Sequence, residues 1–246
     1  MEVQFLNLTE QEFLDIRLFK FLPLSHAIES ISNDSLWFSN PEEWNDPYES
    51  YFMNNAYEDA NDSIDFPLKD NLFATCFSTI SRTEAQWKSY SENGMAVMLD
   101  ISPRKLLDSL KKLSADYDVY IGRVAYLPTY ILKKESVAEI IASIDGSCSD
   151  VNNTLKALLL MLCKRKAFKY ESEVRVFLVP RDEMIKYQKG VKVKLNLKEI
   201  TERYTISPLK KDLQRAIKAC LLSIAGVKNV NRSTLYDQAV NKVLTW

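Results

Sequence analysis

Glycine and histidine are scarce in this sequence, and its cysteines are not paired. Only 5 of the 246 residues are glycine, and neither a GxGxxG nor a GxxxxGKS/T phosphate-binding pattern occurs. The single histidine, His26, argues against metal sites built from several histidines and against a Ser-His-Asp triad. The four cysteines lack the spacing of a zinc site or a disulfide framework: Cys76, Cys148, Cys163 and Cys220.

Excess charge and long apolar runs are also missing. The formal net charge of −1 gives no general attraction to nucleic acid or to an anionic membrane. The most apolar run, residues 155–163, is too short to cross a bilayer, and the N-terminus does not resemble a signal peptide. The composition therefore predicts a cytoplasmic protein with buried thiols, no membrane partner and no metal site.

Helix-like and strand-like segments follow one another irregularly along the chain. Apolar, β-prone runs predict strands at 17–24, 35–39, 71–79, 95–101, 119–127, 169–179 and 191–197. Capping signals and periodicity predict helices after Thr9, after Ser25, at 83–93, from Ser102 to about Ala115, and at about 134–143, 150–165 and 207–226. This irregular order predicts one α+β domain over residues 1–246, with mixed, mainly antiparallel sheets and flanking helices.

Charged residues alternate with other types in the segment 169–179. A strand there would place four charged side chains on one face: Lys169, Glu171, Glu173 and Arg175. A solvated face of a half-exposed strand explains such a pattern most often. Phe177 and Val179 continue the same face, however, and indicate that part of it is covered. Two carboxylates and a guanidinium in a covered cleft would have shifted pKa values and could bind a polar ligand.

Further candidates lie on earlier segments. Lys20, with Arg17, is either an edge lysine that reaches solvent or a cation for a phosphate or carboxylate, provided that it faces the glutamates. Trp87 and Tyr90 lie three residues apart on one helix face, which is more often core than ligand platform.

The strand at 71–79 carries two small polar side chains. Ser78 and Cys76 flank Phe77 there. A nucleophilic Cys76 would need His26 as its base, which makes that interpretation the weaker one.

Residues 37–50, WFSNPEEWNDPYES, combine two prolines with aromatic and acidic side chains. Both prolines follow turn-forming residues, which predicts a stiff loop with Trp37 and Trp44 buried. In the simple interpretation, this loop has only a structural role. The functional one makes Asn45, Asp46 and Glu49 the polar rim of a pocket that also contains Glu171 and Glu173.

Five blocks occur in the order LFKF, LWFSNPEEWNDPYE, CFS, W..Y..NG and KYESEVR. In this order they resemble a bacterial family known as domain of unknown function 2971, and abortive-infection phage-resistance proteins are similar to it. The resemblance covers about residues 18–206 and leaves 207–246 as an extension. The chain departs from the family pattern at Phe168, where tryptophan is common, and at Phe19 and Phe21, where tyrosines are usual.

A looser similarity of layout exists to ADP-ribosyltransferase folds, which carry a basic residue on the first strand and Glu-x-Glu on a late strand. It implies that NAD is a substrate, with no tightly bound cofactor, and that its nicotinamide–ribose bond is cleaved. Glu173 would stabilise the oxocarbenium-like ribose and Glu171 would orient the acceptor. The resemblance also implies substrate contacts by Lys20, Arg175, Ser78, Trp87 and Tyr90. The acceptor would be a protein, a nucleic acid or water, and a neighbouring defence or antitoxin protein would be a partner.

Two other classes remain open at this point. The same cleft would serve a non-catalytic module that senses a ligand or a partner protein. A metal-dependent nuclease would need Asp46, Glu49, Glu171 and Glu173 to form one carboxylate cluster. Lys164, Arg165 and Lys166 form either a local basic patch or a solvated helix end. The oligomeric state stays open.

Overall fold

The computed structural model describes residues 2–44, 46–59, 62–81, 83–134, 136–145, 152–182, 188–224 and 227–237. Asn45 and Cys148, both singled out above, lie outside the described residues. Within those ranges, no helix is long and apolar enough to cross a membrane.

Strands account for much of the described chain. In order they are β1 (Gln4–Leu6), β2 (Leu18–Pro23), β3 (Ser35–Ser39), β4 (Tyr57–Asp59), β5 (Asp62–Ile64), β6 (Phe73–Ser78), β7 (Ala96–Ile101), β8 (Tyr117–Arg123), β9 (Ala125–Leu127), β10 (Cys163–Arg165), β11 (Glu173–Pro180), β12 (Gly190–Lys194), β13 (Thr201–Ile206) and β14 (Val230–Arg232). Helices separate many of these strands, as expected for a mixed fold.

The helices are mostly short. They are α1 (Glu10–Asp15), α2 (Leu24–Ser32), α3 (Pro47–Met53), α4 (Glu84–Ser89), α5 (Pro103–Lys111), α6 (Thr129–Leu132), α7 (Val137–Asp145), α8 (Asn153–Leu160), α9 (Leu197–Ile200) and α10 (Lys211–Ile224), with 3₁₀ helices at Pro41–Glu43 and Lys166–Glu171. Thr9 caps α1 through the predicted capping box, in which its side chain and that of Glu12 each bond to the other residue's backbone N–H.

The main sheet contains 10 strands in the order β1-β8-β11-β6-β2-β7-β13-β14, with β3 beside β6 and β12 beside β3. Its pairs are antiparallel except for β1–β8 and β13–β14. Two small sheets, β9–β10 and β4–β5, lie apart from it. The predicted α+β class with a mixed, mainly antiparallel sheet is therefore confirmed.

Hydrophobic cores cover both faces of the main sheet. On β11, Val174, Val176 and Leu178 belong to one core, together with side chains of α1, α2, α5 and α10. Phe177 belongs to the second core, together with α3, α7 and α8. Because β11 is buried on both faces, its sequence is almost continuously apolar beyond Arg175.

Several predicted boundaries need correction. The strand predicted at 169–179 begins only at Glu173, because Lys166–Glu171 form a 3₁₀ helix that ends at Ser172 in a left-handed conformation. The helix predicted at 150–165 ends at Leu160, and Cys163–Arg165 is a strand that pairs with β9. The segment Thr201–Ile206, for which the sequence pattern predicts no strand, forms β13 and pairs with both β7 and β14. In each case a tertiary partner decides between local alternatives.

Candidate functional site

The main sheet divides along one edge of β6, and this division creates the principal cavity. β2 pairs with β6 at Phe19 and Ser78, whereas β3 pairs with β6 at Ser39 and Ala74. Between these two positions the two strands separate from β6. A cavity of about 670 Å³ opens there. This volume falls within the range of small-molecule binding sites.

A buried network of ionisable side chains forms one part of the cavity wall. Lys164 Nζ donates to Glu171 Oε2 at 2.6 Å and to Glu173 Oε1 at 2.7 Å, and lies 3.6 Å from Glu49 Oε1. Arg175 Nε donates to Glu173 Oε2 at 2.9 Å, and its Nη2 donates to Glu49. All five side chains are buried. Such a network is tolerated away from water only because each charge meets an opposite one.

Three parts of the chain deliver these charges. Glu173 and Arg175 are adjacent on one face of β11, opposite Ser78 and Cys76 of β6. Lys164 projects from β10, and Glu171 ends the 3₁₀ helix that follows it. The network therefore depends on the packing of the small β9–β10 sheet against the end of β11.

Glu49 arrives from the NDPYE block, which starts a helix and is not a loop throughout. The Asp46 carboxylate caps α3 by accepting from the Tyr48 N–H at 3.0 Å, and Pro47 occupies its first turn. Arg165 Nη2 donates to the same Asp46 carboxylate at 2.9 Å. Asp46 and Glu49 line the cavity together with Glu171 and Glu173, the arrangement expected from the sequence. Asn45 lies outside the described residues.

The two neighbouring glutamates have pKa values that move in opposite directions. Burial, a hydrogen bond to Glu173 and the charge of Glu173 raise the pKa of Glu171 to about 7, against the effect of Lys164. Burial also disfavours the ionised form of Glu173, but the charges of Arg175 and Lys164 outweigh it and hold its pKa well below the usual range. One carboxyl is thus poised to exchange a proton near neutral pH, while the other stays ionised.

Lys164 and Arg175 both remain cations despite their burial. Burial alone would lower the pKa of Lys164, but Glu173, Glu49 and Glu171 raise it above its usual range. The guanidinium of Arg175 also donates to the Met161 carbonyl at 2.6 Å and lies 4.4 Å from the centre of the Trp44 ring. These contacts fix both cations as permanent parts of the cavity wall.

Lys20 faces the cavity at the division of the sheet. Its Nζ donates to Thr75 Oγ1 at 2.8 Å and to the Cys76 carbonyl at 2.9 Å. Burial lowers the pKa of Lys20, against the charge of Glu173. Both hydrogen-bond acceptors are neutral, so a ligand anion beside Lys20 would stabilise its charged form.

Tyr90, Trp87 and Ser78 occupy different surroundings. Tyr90 lines the cavity, and its hydroxyl donates to Glu171 Oε2 at 3.4 Å. Trp87 is buried against Phe21, at 5.0 Å between ring centres, and does not line this cavity. Ser78 also lies behind the wall, where its hydroxyl donates to the Glu171 carbonyl at 2.7 Å. These two residues hold the site in shape and do not reach the cavity.

The two tryptophans of the 37–50 segment differ as well. Trp44 is partly buried, and its Nε1 donates to Ser39 Oγ at 2.9 Å. Trp37 is 46% exposed, so the prediction that both tryptophans are buried is wrong for Trp37. Its side chain forms part of the cavity wall.

Two alternative chemistries find little support in the geometry. Burial raises the pKa of the Cys76 thiol to about 12, which leaves it protonated at neutral pH. Among the residues that the structure describes, no group of three or more His, Cys, Asp and Glu side chains is arranged to hold a metal ion. The carboxylates that a nuclease would need are paired with Lys164, Arg175 and Arg165.

Fold and site together define an α+β protein with an acid–base cavity at the division of its sheet. The family model described as protein of unknown function (DUF2971) matches residues 86–176, which confirms the resemblance to this family. The matched segment contains Tyr90, Lys164, Glu171, Glu173 and Arg175. A search of the curated proteins found no match.

Sequence reasoning missed the central cation of the site. The sequence pattern predicts a basic patch or a solvated helix end at Lys164, yet this side chain is buried and contacts three carboxylates. One signal was available: a lysine directly after the apolar run 155–163, close to a Glu-x-Glu pair, is well placed to neutralise buried acids.

Proposed function

We propose that the chain is an enzyme that cleaves the bond between nicotinamide and ribose in NAD. The observation that supports this most directly is the Glu171–Glu173 pair, whose pKa values are moved apart on the wall of a cavity of about 670 Å³. Carboxyl pairs with separated pKa values are typical of sites that perform acid–base and electrostatic catalysis on glycosidic bonds. The proposed role in bacterial phage defence rests on family resemblance, and the proposed cytoplasmic location rests on the unpaired cysteines of the sequence.

The charges of the site suit the bond to be broken. Departure of neutral nicotinamide leaves positive charge on the ribose, and the ionised Glu173 would stabilise that charge. Above its pKa, Glu171 would orient the attacking hydroxyl and accept its proton, then release the proton to solvent. With water as acceptor, NAD and water give ADP-ribose, nicotinamide and a proton. A protein or nucleic-acid nucleophile would take the place of water in a transferase.

Cations and aromatic side chains would bind the rest of the substrate. Lys20 is the candidate for contact with the pyrophosphate, and Tyr90 would border the nicotinamide. Arg175 would act through Glu173, since its guanidinium is already engaged by Glu173, Glu49 and the Met161 carbonyl. Trp87 and Ser78 would have structural roles.

The test is nicotinamide release from NAD by the purified protein and by two variants. Glu171→Gln should lower turnover by roughly 10²- to 10⁴-fold, because the variant cannot accept a proton. Glu173→Gln should lower it as well, through loss of the negative charge. Glu84→Gln, which alters an exposed glutamate on α4, is the matched control and should leave turnover unchanged. Melting temperatures would show that each variant is folded.

A second candidate function is a non-catalytic module that senses a nucleotide or a partner. It is favoured by one observation: both oxygens of Glu173 are engaged by Lys164 and Arg175. NAD that raises the melting temperature without being cleaved, under all acceptor conditions, would favour this module over the enzyme. If NAD neither binds nor is cleaved, the enzymatic proposal is wrong.

A further inference from the structure

Trp37 is an exposed aromatic side chain on the wall of the main cavity. It lies on β3 between Ser35 and Ser39, and all three residues line the cavity. Trp37 is 46% exposed, whereas neighbouring Leu36 and Phe38 are buried in the core on the other face of the strand. Part of a large apolar side chain is therefore presented to the cavity and is not buried in the core.

The backbone of Gly190 contacts one part of the Trp37 indole ring. Gly190 lies on β12 opposite Ser39, beside the pair formed by Lys192 and Trp37. A Cβ atom on Gly190 would lie 2.4 Å from Cζ2 and 2.6 Å from Cε2 of Trp37. No side chain fits at these distances, so the ring packs directly against the glycine backbone. One part of the indole is fixed by this contact, while the rest stays open to the cavity.

Trp37 and the paired glutamates come from different strands around the cavity. Ser39, two residues after Trp37, pairs with Ala74 on the open edge of β6, whereas Glu173 belongs to β11 at the other edge of β6 and pairs with Ser78. Trp37, Glu171 and Glu173 all line the cavity.

A cation also belongs to the cavity wall. Lys20 bonds to Thr75 and Cys76 in the middle of β6. The one cavity therefore offers an aromatic ring, a cation and an acid–base pair to a ligand.

We propose that Trp37 is a stacking platform for a second planar heterocycle, so that the ligand of the cavity is a dinucleotide and not a mononucleotide. This inference rests on the proposed function, which assigns the reacting ribose to Glu171 and Glu173. The pyrophosphate then lies at Lys20, and the adenine stacks on Trp37. Base stacking on an aromatic side chain needs only an accessible ring face, which the contact with Gly190 keeps fixed.

Calorimetric titration tests the platform by binding alone, with ADP as one ligand and, in the Glu171→Gln background that suppresses turnover, with nicotinamide mononucleotide and NAD as the others. Trp37→Ala should weaken the binding of ADP and of NAD by roughly 5- to 150-fold and leave nicotinamide mononucleotide unaffected. Trp37→Phe should restore most of the affinity, because it keeps a ring. Gly190→Ala should also weaken ADP binding, because the new methyl group would clash with the indole and with the Phe38 carbonyl. Tyr130→Ala, at an exposed tyrosine outside the cavity lining, is the control.

The outcomes separate this inference from the enzymatic proposal. Unchanged ADP binding in Trp37→Ala, or equal weakening of ADP and nicotinamide mononucleotide, overturns the platform even if NAD is cleaved. Trp37-dependent ADP binding without nicotinamide release supports the platform and counts against the enzyme. Failure of the wild type to bind any of the three nucleotides overturns the platform. If Gly190→Ala does not fold, the comparison of Trp37→Ala with Trp37→Phe decides.

Discussion

Replacing Lys164 by methionine removes the cation that three buried carboxylates share. The variant keeps an unbranched side chain of similar length but loses the hydrogen bonds of 2.6 Å to Glu171 and 2.7 Å to Glu173. It also loses the positive charge that lies 3.6 Å from Glu49 Oε1. Removing one partner of a buried ion pair typically costs about 3–5 kcal/mol, because the remaining charge is left in a poorly solvated place. For a chain of this size, that corresponds to a fall in melting temperature of roughly 6–20 °C.

The stability lost in Lys164→Met should increase as the pH rises. Without Lys164, only Arg175 opposes the three carboxylates, so at least one of them binds a proton more tightly in the folded state than in the unfolded state. A carboxyl whose pKa is raised by folding contributes stability at low pH that is lost as the pH rises through its folded pKa. Lys164→Met should therefore be less destabilising at about pH 5 than at about pH 8.

Urea denaturation at both pH values measures this effect. Lys88→Met is the matched control, since Lys88 forms an exposed ion pair with Glu84 at 2.8 Å, and screened surface pairs contribute little. The control should show no resolvable change at either pH. A Lys164→Met variant no less stable than Lys88→Met, or equally destabilised at both pH values, would refute the account of the network.

Three further predictions concern single side chains. Burial and Glu173 raise the pKa of Glu171 to about 7. In urea titrations the stability of the wild type should therefore fall relative to that of Glu171→Gln as the pH rises from about 5 to about 7. Parallel pH profiles of the two proteins would contradict this. Because burial raises the pKa of Cys76 to about 12, iodoacetamide at mildly alkaline pH should modify Cys220 before Cys76 in a mass-spectrometric time course, and the reverse order would count against the raised pKa of Cys76. Ser207→Ala should lower the free energy of unfolding by about 1–3 kcal/mol, because the buried Ser207 hydroxyl accepts from the Ala96 N–H and donates to the Gly94 carbonyl. Thermal denaturation measures this effect, and Ser223→Ala, at an exposed site, is the control that should show no loss of stability.

Local signals in the sequence predicted most of the elements. The Thr9–Glu12 capping box starts α1 as expected, and the apolar runs that became β6 and β7 need no tertiary information to be identified. The prediction failed at β13, whose segment TERYTI mixes charged and apolar residues and becomes a strand by pairing with β7 and β14. It also failed at β10, where a short segment continues an apolar helical pattern but pairs with β9.

The sequence alone determined which side chains of β11 share a face. Because successive residues of a strand point to opposite sides, Glu173, Arg175 and Phe177 had to lie together, and the apolar Phe177 indicated that the face was covered. The tertiary structure alone decided what meets that face. Lys164 and Glu49 reach it from β10 and α3, and the ring of Trp37 packs against Gly190, more than 100 residues away in sequence. Contacts between distant segments depend on how whole elements pack, and no periodicity within either segment encodes them.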